Sequence, residues 1–480
     1  MEQVGTIIVG SGFGGLGMAA GLVRDGKRDF LILEKAEKLG GTWRHNTYPG
    51  AECDVPSLLY SYSYEQNPDW STRWAPHNEI LDYQMGLVDK YDLAKHARLG
   101  QQVKRATFDE GTKRWTVETE SGDVFECQFV VFAVGQLHYP STPSFPNRDE
   151  FAGVSFHSAE WNTDVDLTGK SVAVVGAAAS ALQLIPEVAK VAKQLTVYQR
   201  SANWLLPKPN TPFQGWLKRI FTTAPFVQKL MRFYTWAYSE ALLYPAIKGS
   251  GLSRTLLRKM STNHLKESIQ DEELRAKLTP DYDVGAKRVL LSSLYYPALA
   301  RPNVELVTDA LAEMTKDGIT DKTGKHRRHD VIVYATGFKT NPFLPMLDIK
   351  GKGGADIREA WKDGAHAYLG AVTQDFPNMF MLYGPNTNTG HTSIILKLEC
   401  QIDYIRQLIG LAKDGAVEVR ADVETAFNDD VQRRLQTTAW NEVEASWYKD
   451  GNRITNNWPG PSREYIRKTR RPNPSDYDIF

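Results

Sequence analysis

Cysteine is scarce in this sequence: 480 residues hold three, Cys53, Cys127 and Cys400, far apart from one another. No CxxC pair exists, which excludes a dithiol redox centre and a zinc knuckle of the usual spacing. The same shortage points to a reducing, cytoplasmic setting. Neither sign of charge is in excess, since 57 Lys and Arg face 57 Asp and Glu. Without a basic surplus, nucleic acid is not expected as a partner. Long apolar runs are missing too. The uncharged stretch from Gly5 to Val23 holds seven glycines, which disfavour a membrane helix. Glu2 stands where a signal peptide would carry basic residues, so this stretch is read as the start of a globular fold. A chain of this length is expected to form two or three domains.

What is present begins with a β-branched run, Val4 to Val9, ending in Gly10-x-Gly12-x-x-Gly15. An Ala/Leu-rich helical stretch and a second strand, Phe30 to Glu34, follow. This is the βαβ pattern of a dinucleotide site. Gly10 makes the tight turn, Gly12 admits a pyrophosphate and Gly15 lets helix pack on strand. The helix N-terminus offers N–H donors to phosphate. Glu34 is placed to accept from a ribose 2′-hydroxyl. A second copy starts at Ser171, with its turn at Gly176-Ala-Ala-Ala-Ser180-Ala181 and its second strand ending at Arg200. Gly10 to Glu34 spans 24 positions, and so does Gly176 to Arg200. An acid suits a free 2′-hydroxyl, whereas an arginine suits a 2′-phosphate. The first unit is therefore expected to hold FAD and the second NADPH, with Ser180 and Ser201 as added contacts. Ala178 replaces a usual glycine and is expected to weaken or displace NADPH.

Pro140, Pro143 and Pro146 recur every third residue and read as a stiff linker. A later strand, Asp330 to Tyr334, with the Ala335-Thr-Gly337 turn, Pro342 and Pro345, reads as the return. The expected fold class is α/β, with two Rossmann-like units. Residues 1–145 and 331–480 form a discontinuous FAD domain, and 146–330 an inserted NADPH domain. A helical insertion at about 211–280 carries nine aromatics between Phe213 and Tyr244. Ordinary helix packing is the plainest account of them. A wall for a bulky, apolar substrate is the functional reading, and a helix lying on a membrane is the rival that is not favoured.

Two further runs carry a resemblance. Phe151-x-Gly153-x-x-x-His157-x-x-x-Trp161-Asn162 follows the linker, and Gly40-Gly-Thr42-Trp43-x-x-x-x-Tyr48-Pro-Gly50-x-x-x-Asp54 follows the first unit. Together with the paired nucleotide turns and a tail at Ser446-Trp-Tyr-Lys and Asn456-Asn-Trp458-Pro-Gly460, they resemble the Baeyer-Villiger monooxygenases across nearly the whole chain. In that family NADPH reduces a flavin, O₂ adds to it, and the resulting flavin peroxide attacks a ketone to give an ester or lactone. The resemblance implies that Arg288 is the active-site cation, that Asp54 positions it, and that Lys287 contacts the 2′-phosphate. It also implies cofactor contacts from Thr42, Trp43, Asp54, Asn386 and Trp458. A fixed arginine suits such chemistry, because it stays charged where a lysine would lose its proton. Phe151, Gly153, His157 and Trp161 are expected to couple the domains, not to act as acid or base. Asn162 departs from the family's Pro or Asp. The expected partners are a small-molecule ketone and O₂. The alternatives are an N- or S-oxygenating flavin monooxygenase and a flavin-binding protein without turnover.

Overall fold

The computed structural model describes residues 1–249, 251–341, 343–344, 347–442 and 447–480. Pro342, Pro345 and Ser446 lie outside them.

The β-branched run becomes the strand Glu2–Val9, whose inner residues Ile7 and Ile8 are fully buried. It pairs in parallel with Phe30–Leu33 on one side and Val124–Phe132 on the other. Helix α1, Phe13–Arg24, connects the first two strands. Near-continuous apolar strands are what a sheet covered on both faces requires. The sheet continues through the antiparallel strands Arg114–Thr119 and Val103–Asp109, and Met379–Met381 pairs with Val124–Phe132. Helix α1 packs through Gly17 and Gly21 on a helix, Ile394–Ala412, of the later half of the chain.

The second sheet is wholly parallel, in the order Val304–Val307, Gln194–Tyr198, Ser171–Val175, Val331–Tyr334, Val154–His157. Helix α2, Ala179–Val191, covers it. This is an α/β fold with two Rossmann-like units. The strand 331–334 corrects a sequence expectation. The sequence assigns it to the FAD domain, yet it pairs on both sides within the second sheet. The chain crosses back only after it, at Ala335-Thr336-Gly337.

The two crossings lie side by side. Ser141 N donates to Gly337 O at 2.9 Å, Lys339 N donates to Tyr139 O at 2.8 Å, and Thr336 Oγ1 donates to Ser141 O at 2.6 Å. Pro140 faces Phe338 as an antiparallel pair. The proline linker is thus half of a two-stranded ribbon.

Between Gly215 and Lys277 the chain is mostly helical: α3 spans Gly215–Thr223, α4 Pro225–Ile247 and α5 Gly251–Ser268, with a short helix Glu272–Lys277. Pro225 opens α4, where its missing N–H costs nothing. The aromatics of this region divide. Phe213, Phe221 and Trp236 join the core of the first unit. Trp216, Phe226, Phe233, Tyr234 and Tyr238 are exposed.

Candidate active site

The site starts from backbone that side chains would obstruct. Gly10 has φ +101°, and a Cβ there would lie 2.7 Å from Ala133 O. A Cβ on Gly15 would lie 1.9 Å from Gly10 O, so this glycine seats α1 on the turn. Gly41, φ +56°, backs onto Gly12 so closely that a Cβ would lie 2.6 Å from its Cα. The Gly40-Gly41 signature is therefore the second wall of the first dinucleotide turn. Glu34, buried at the end of its strand, accepts from Ser11 N at 2.9 Å, Ser11 Oγ at 2.6 Å and Ala36 N at 2.9 Å.

From Gly41 the chain runs through a short helix, Thr42–His45, where Trp43 Nε1 donates to Tyr60 Oη at 3.1 Å. It then leaves the first unit and packs on the second. Tyr48 and Ala51 belong to the second unit's core. A Cβ on Gly50, φ +80°, would lie 2.5 Å from Gln183 O on α2. Gln183 Oε1 accepts from Tyr48 Oη at 2.8 Å and Glu52 N at 3.3 Å, while its Nε2 donates to Glu52 O at 2.8 Å. Lys208, itself buried, donates to Cys53 O at 2.9 Å and pairs with Glu52 at 2.6 Å. These bonds fix the residue just before Asp54.

Arg288 comes from the segment after the helices. Gly285, φ +98°, turns this segment against the end of α4, where a Cβ would lie 3.1 Å from Ala246 O. Arg288 Nη2 meets Asp54 Oδ2 at 2.8 Å, with side chains 34% and 26% exposed. The Asp54 carboxylate holds the guanidinium above its usual pKa, against the opposing effect of burial. The Tyr448 phenol lies against the Arg288 main chain, and burial raises it to about 12. Burial also raises Tyr60, Tyr383 and the Cys53 thiol, so all three stay protonated at neutral pH.

One cavity of about 410 Å³ gathers Gly10, Gly12, Glu34, Thr42, Trp43, Asp54, Ser180 and Arg288 on its walls. Asn388 lines it as well, and so do Tyr60, Gln183 and Tyr383, which sequence reasoning missed. Gln183 had a readable signal, standing three residues after Ser180 and hence on the same helix face. Lys208 had none.

The other predicted residues lie elsewhere. Gly176, φ +118°, shapes the second turn, where a Cβ would lie 2.2 Å from Ala335 O. Ala178 has an extended backbone and an exposed side chain, so it is unstrained there. Arg200 is exposed and Ser201 half-buried. Burial lowers the pKa of Lys287; the Asp281 carboxylate opposes this in part and the nearby charge of Arg200 adds to it. Two residues expected to contact a cofactor stand back from the cavity. Trp458, 1% exposed, packs on Phe427 and Tyr465 and lines no part of the cavity. Asn386 is buried with its amide given to Ile454 O and Asn457 O, and its neighbours Asn388 and Thr389 face the cavity instead. The insertion aromatics from Phe213 to Tyr244 do not wall it either.

The fingerprint residues stand apart from the cavity. A Cβ on Gly153 would lie 2.5 Å from the Phe151 ring, and Trp161 meets Phe156 edge-on at 5.1 Å. His157 Nδ1 accepts from Ala159 N at 3.1 Å, and its ring meets Phe338 at 5.7 Å. Burial lowers its pKa. Asn162 Oδ1 accepts from Asp164 N at 3.0 Å, the turn an aspartate would also make.

A family model described as pyridine nucleotide-disulphide oxidoreductase matches residues 7–230. It covers both nucleotide turns, while the three cysteines of this chain are free. A Baeyer-Villiger monooxygenase of Streptomyces coelicolor is 38% identical over 485 residues, covering 100% of this chain and 93% of that protein. The chain belongs to the Baeyer-Villiger monooxygenases. Among solved structures, a steroid monooxygenase bound to NADP superposes with TM-score 0.88 at 30% identity, covering 98% of this chain and 97% of that one. OTEMO in complex with FAD and NADP gives TM-score 0.85 at 27% identity, with 97% of each chain covered. The Baeyer-Villiger likeness thus extends over the whole fold, including the Asp54 loop and the Arg288 segment.

Proposed function

We propose that this chain is an FAD-containing monooxygenase that uses NADPH and O₂ to convert ketones into esters or lactones, in a reducing, cytoplasmic compartment. The observation that carries the reading is the Arg288–Asp54 pair at 2.8 Å in a cavity walled by both Rossmann-like units. The residues present fit both cofactors. The side-chain-free approach at Gly10, Gly12 and Gly41 suits a pyrophosphate, and Glu34 stands at the ribose position. On the second unit, Gly176 takes the place of Gly10, Ser180 in the first turn of α2 faces the cavity, and Arg200 and Lys287 supply cations for a 2′-phosphate. When bound and reduced by NADPH, FAD supplies the chemistry that activates O₂.

The chain's own residues do the rest. Arg288 keeps its proton throughout, so its Nη atoms hold the negative charge that develops on oxygen as the ketone is attacked. Asp54 orients the guanidinium and offsets its charge in the resting site. Losing one partner of such a pair leaves the other charge uncompensated. Gln183 and Lys208 position Asp54 by holding the loop that carries it. Tyr60 and Tyr383 remain neutral hydroxyl groups on the cavity wall. His157, touching Phe338, transmits movement of the second sheet to the crossing ribbon, with Phe151, Gly153 and Trp161 holding its strand in shape. The two units divide at the Pro140–Phe338 pairing, the first holding FAD and the second NADPH.

The test is Arg288→Ala in the FAD-loaded enzyme. NADPH should still bleach the flavin anaerobically, while ester formation from a ketone panel falls at least about 10³-fold. Unchanged ester formation would remove Arg288 from its role. Steady oxygenation of amines or sulfides by the parent, with no ester from any ketone, would replace the reading with heteroatom oxygenation.

A further inference from the structure

Helix α4 has two unlike faces. Its inner face is tied to the protein: Arg232 donates to Leu58 O at 2.6 Å and Ser61 O at 2.8 Å and faces Glu399 at 3.4 Å, and Glu240 binds His391 and Ser462 N. Its outer face is aromatic. Phe226, Leu230, Phe233, Tyr234 and Tyr238 follow helical spacing and are 64%, 59%, 60%, 70% and 49% exposed. On α3, Trp216 is 63% exposed and shares a face with the exposed Arg219. A continuous stripe of this kind is unusual on a protein surface and marks a binding face.

Charge decides what covers it. The whole chain is neutral, yet residues 215–247, which form α3 and α4, hold four Lys and Arg against one Asp or Glu, and of the four only Arg232 is tied to the inner face. Glu240, the sole acid between 215 and 247, points inward. Lys229 lies exposed within the aromatic stripe. A second copy docking face to face would bring these cations together. An anionic lipid surface satisfies both features: aromatic and leucine side chains enter the headgroup boundary while Lys and Arg meet lipid phosphates. Among the described residues no helix is long and apolar enough to cross a membrane, so the contact lies in the interface plane.

We propose that the outer face of α3 and α4 docks this enzyme reversibly on anionic membrane surfaces. This goes beyond the activity proposed above and does not depend on it. The inner face of α4 holds residues 58–61, whose Tyr60 lines the cavity. Docking would therefore set the active site close to the lipid phase.

The test is flotation of the FAD-loaded full chain with vesicles of equal parts phosphatidylcholine and phosphatidylglycerol. The parent should float with them and stay behind with pure phosphatidylcholine or in high salt. Phe226→Ser/Phe233→Ser/Tyr234→Ser should cut flotation by at least about tenfold, and Arg219→Glu/Lys229→Glu by a similar factor. Both variants alter exposed groups only, so FAD content and turnover of a water-soluble ketone should match the parent. The proposal is overturned if the parent does not float with anionic vesicles, or if either variant floats as well as the parent. It is also overturned if the aromatic variant instead turns a dimer into a monomer in sedimentation, which would assign the face to a second copy.

Discussion

The two nucleotide turns are built alike at their start and differently at their end. In each, a glycine with positive φ lies under the carbonyl of an alanine, Ala133 for Gly10 and Ala335 for Gly176. In each, that alanine opens a turn closed by a second positive-φ glycine, Gly135 or Gly337. The ends of the following strands diverge. Glu34 is buried, with both carboxylate oxygens already accepting from the chain. Arg200 is exposed, and among the described residues neither it nor Lys287 is ion-paired. A pre-bonded acid costs nothing to organise when a ribose arrives, which suits a cofactor that stays. Two like charges side by side gain most from a dianion that comes and goes. On the function proposed above, one sheet architecture would serve a resident and a visiting cofactor, with the difference set by the side chain at the end of the second strand and by Lys287.

The sharpest way to break this contrast is at the glycines. Gly10→Ala and Gly176→Ala both place a Cβ against a carbonyl at positive φ, a strain on the order of 3 kcal/mol each. Gly10→Ala should purify colourless. Gly176→Ala should stay yellow yet resist anaerobic bleaching by NADPH. Equal loss of flavin in both would erase the distinction between the units. A smaller effect is expected from the charges. Arg200→Ala should raise the KM for NADPH about tenfold, with the KM for NADH and the FAD content unchanged. Steady-state kinetics with both nucleotides decides it. The smallest effect is a shift in pH dependence. Because the pKa of Lys287 is lowered by burial, its charge is complete at low pH and is lost as pH rises through that lowered value. NADP⁺ affinity should therefore fall at a lower pH than an ordinary lysine, near 10.4, would impose. Lys287→Arg should move that fall upward, as read by NADP⁺ titration at a series of pH values.

Spacing made much of this legible in advance. Glycine turns and the residue 24 positions later are local features, fixed by the geometry of one βαβ unit. The Asp54–Arg288 pair, 234 positions apart, came only through family resemblance, and the structure places the two in contact. What escaped was non-local or orientational. The run Val331–Tyr334 reads as the same apolar strand whichever sheet receives it, and only its pairing shows that it belongs to the second. Trp458 is an aromatic beside Pro and Gly, a pattern that does not say whether the ring faces a cavity or a core. The aromatics of α4 follow helical spacing, but a stripe looks identical in sequence whether it points in or out. Lys208 is a lone cation between prolines, and only its contacts reveal what it holds.

The ribbon formed by residues 139–141 and 337–339 has a consequence for how such enzymes can be rebuilt. The chain enters and leaves the second unit through two hydrogen-bonded neighbours, so that unit is covalently joined through a single neck, while the inserted helices and the Asp54 loop pack across the boundary. A cut through both strands of the neck would release a segment whose new ends already lie together. The second unit can therefore be exchanged for a relative's without rerouting any strand of the first sheet, provided that the helices packed on the first unit's core are matched too. The junctions belong within the paired segments, where the backbone bonds would be remade, and any transplanted cassette must bring its own equivalents of Gln183 and Lys208 to hold the Asp54 loop.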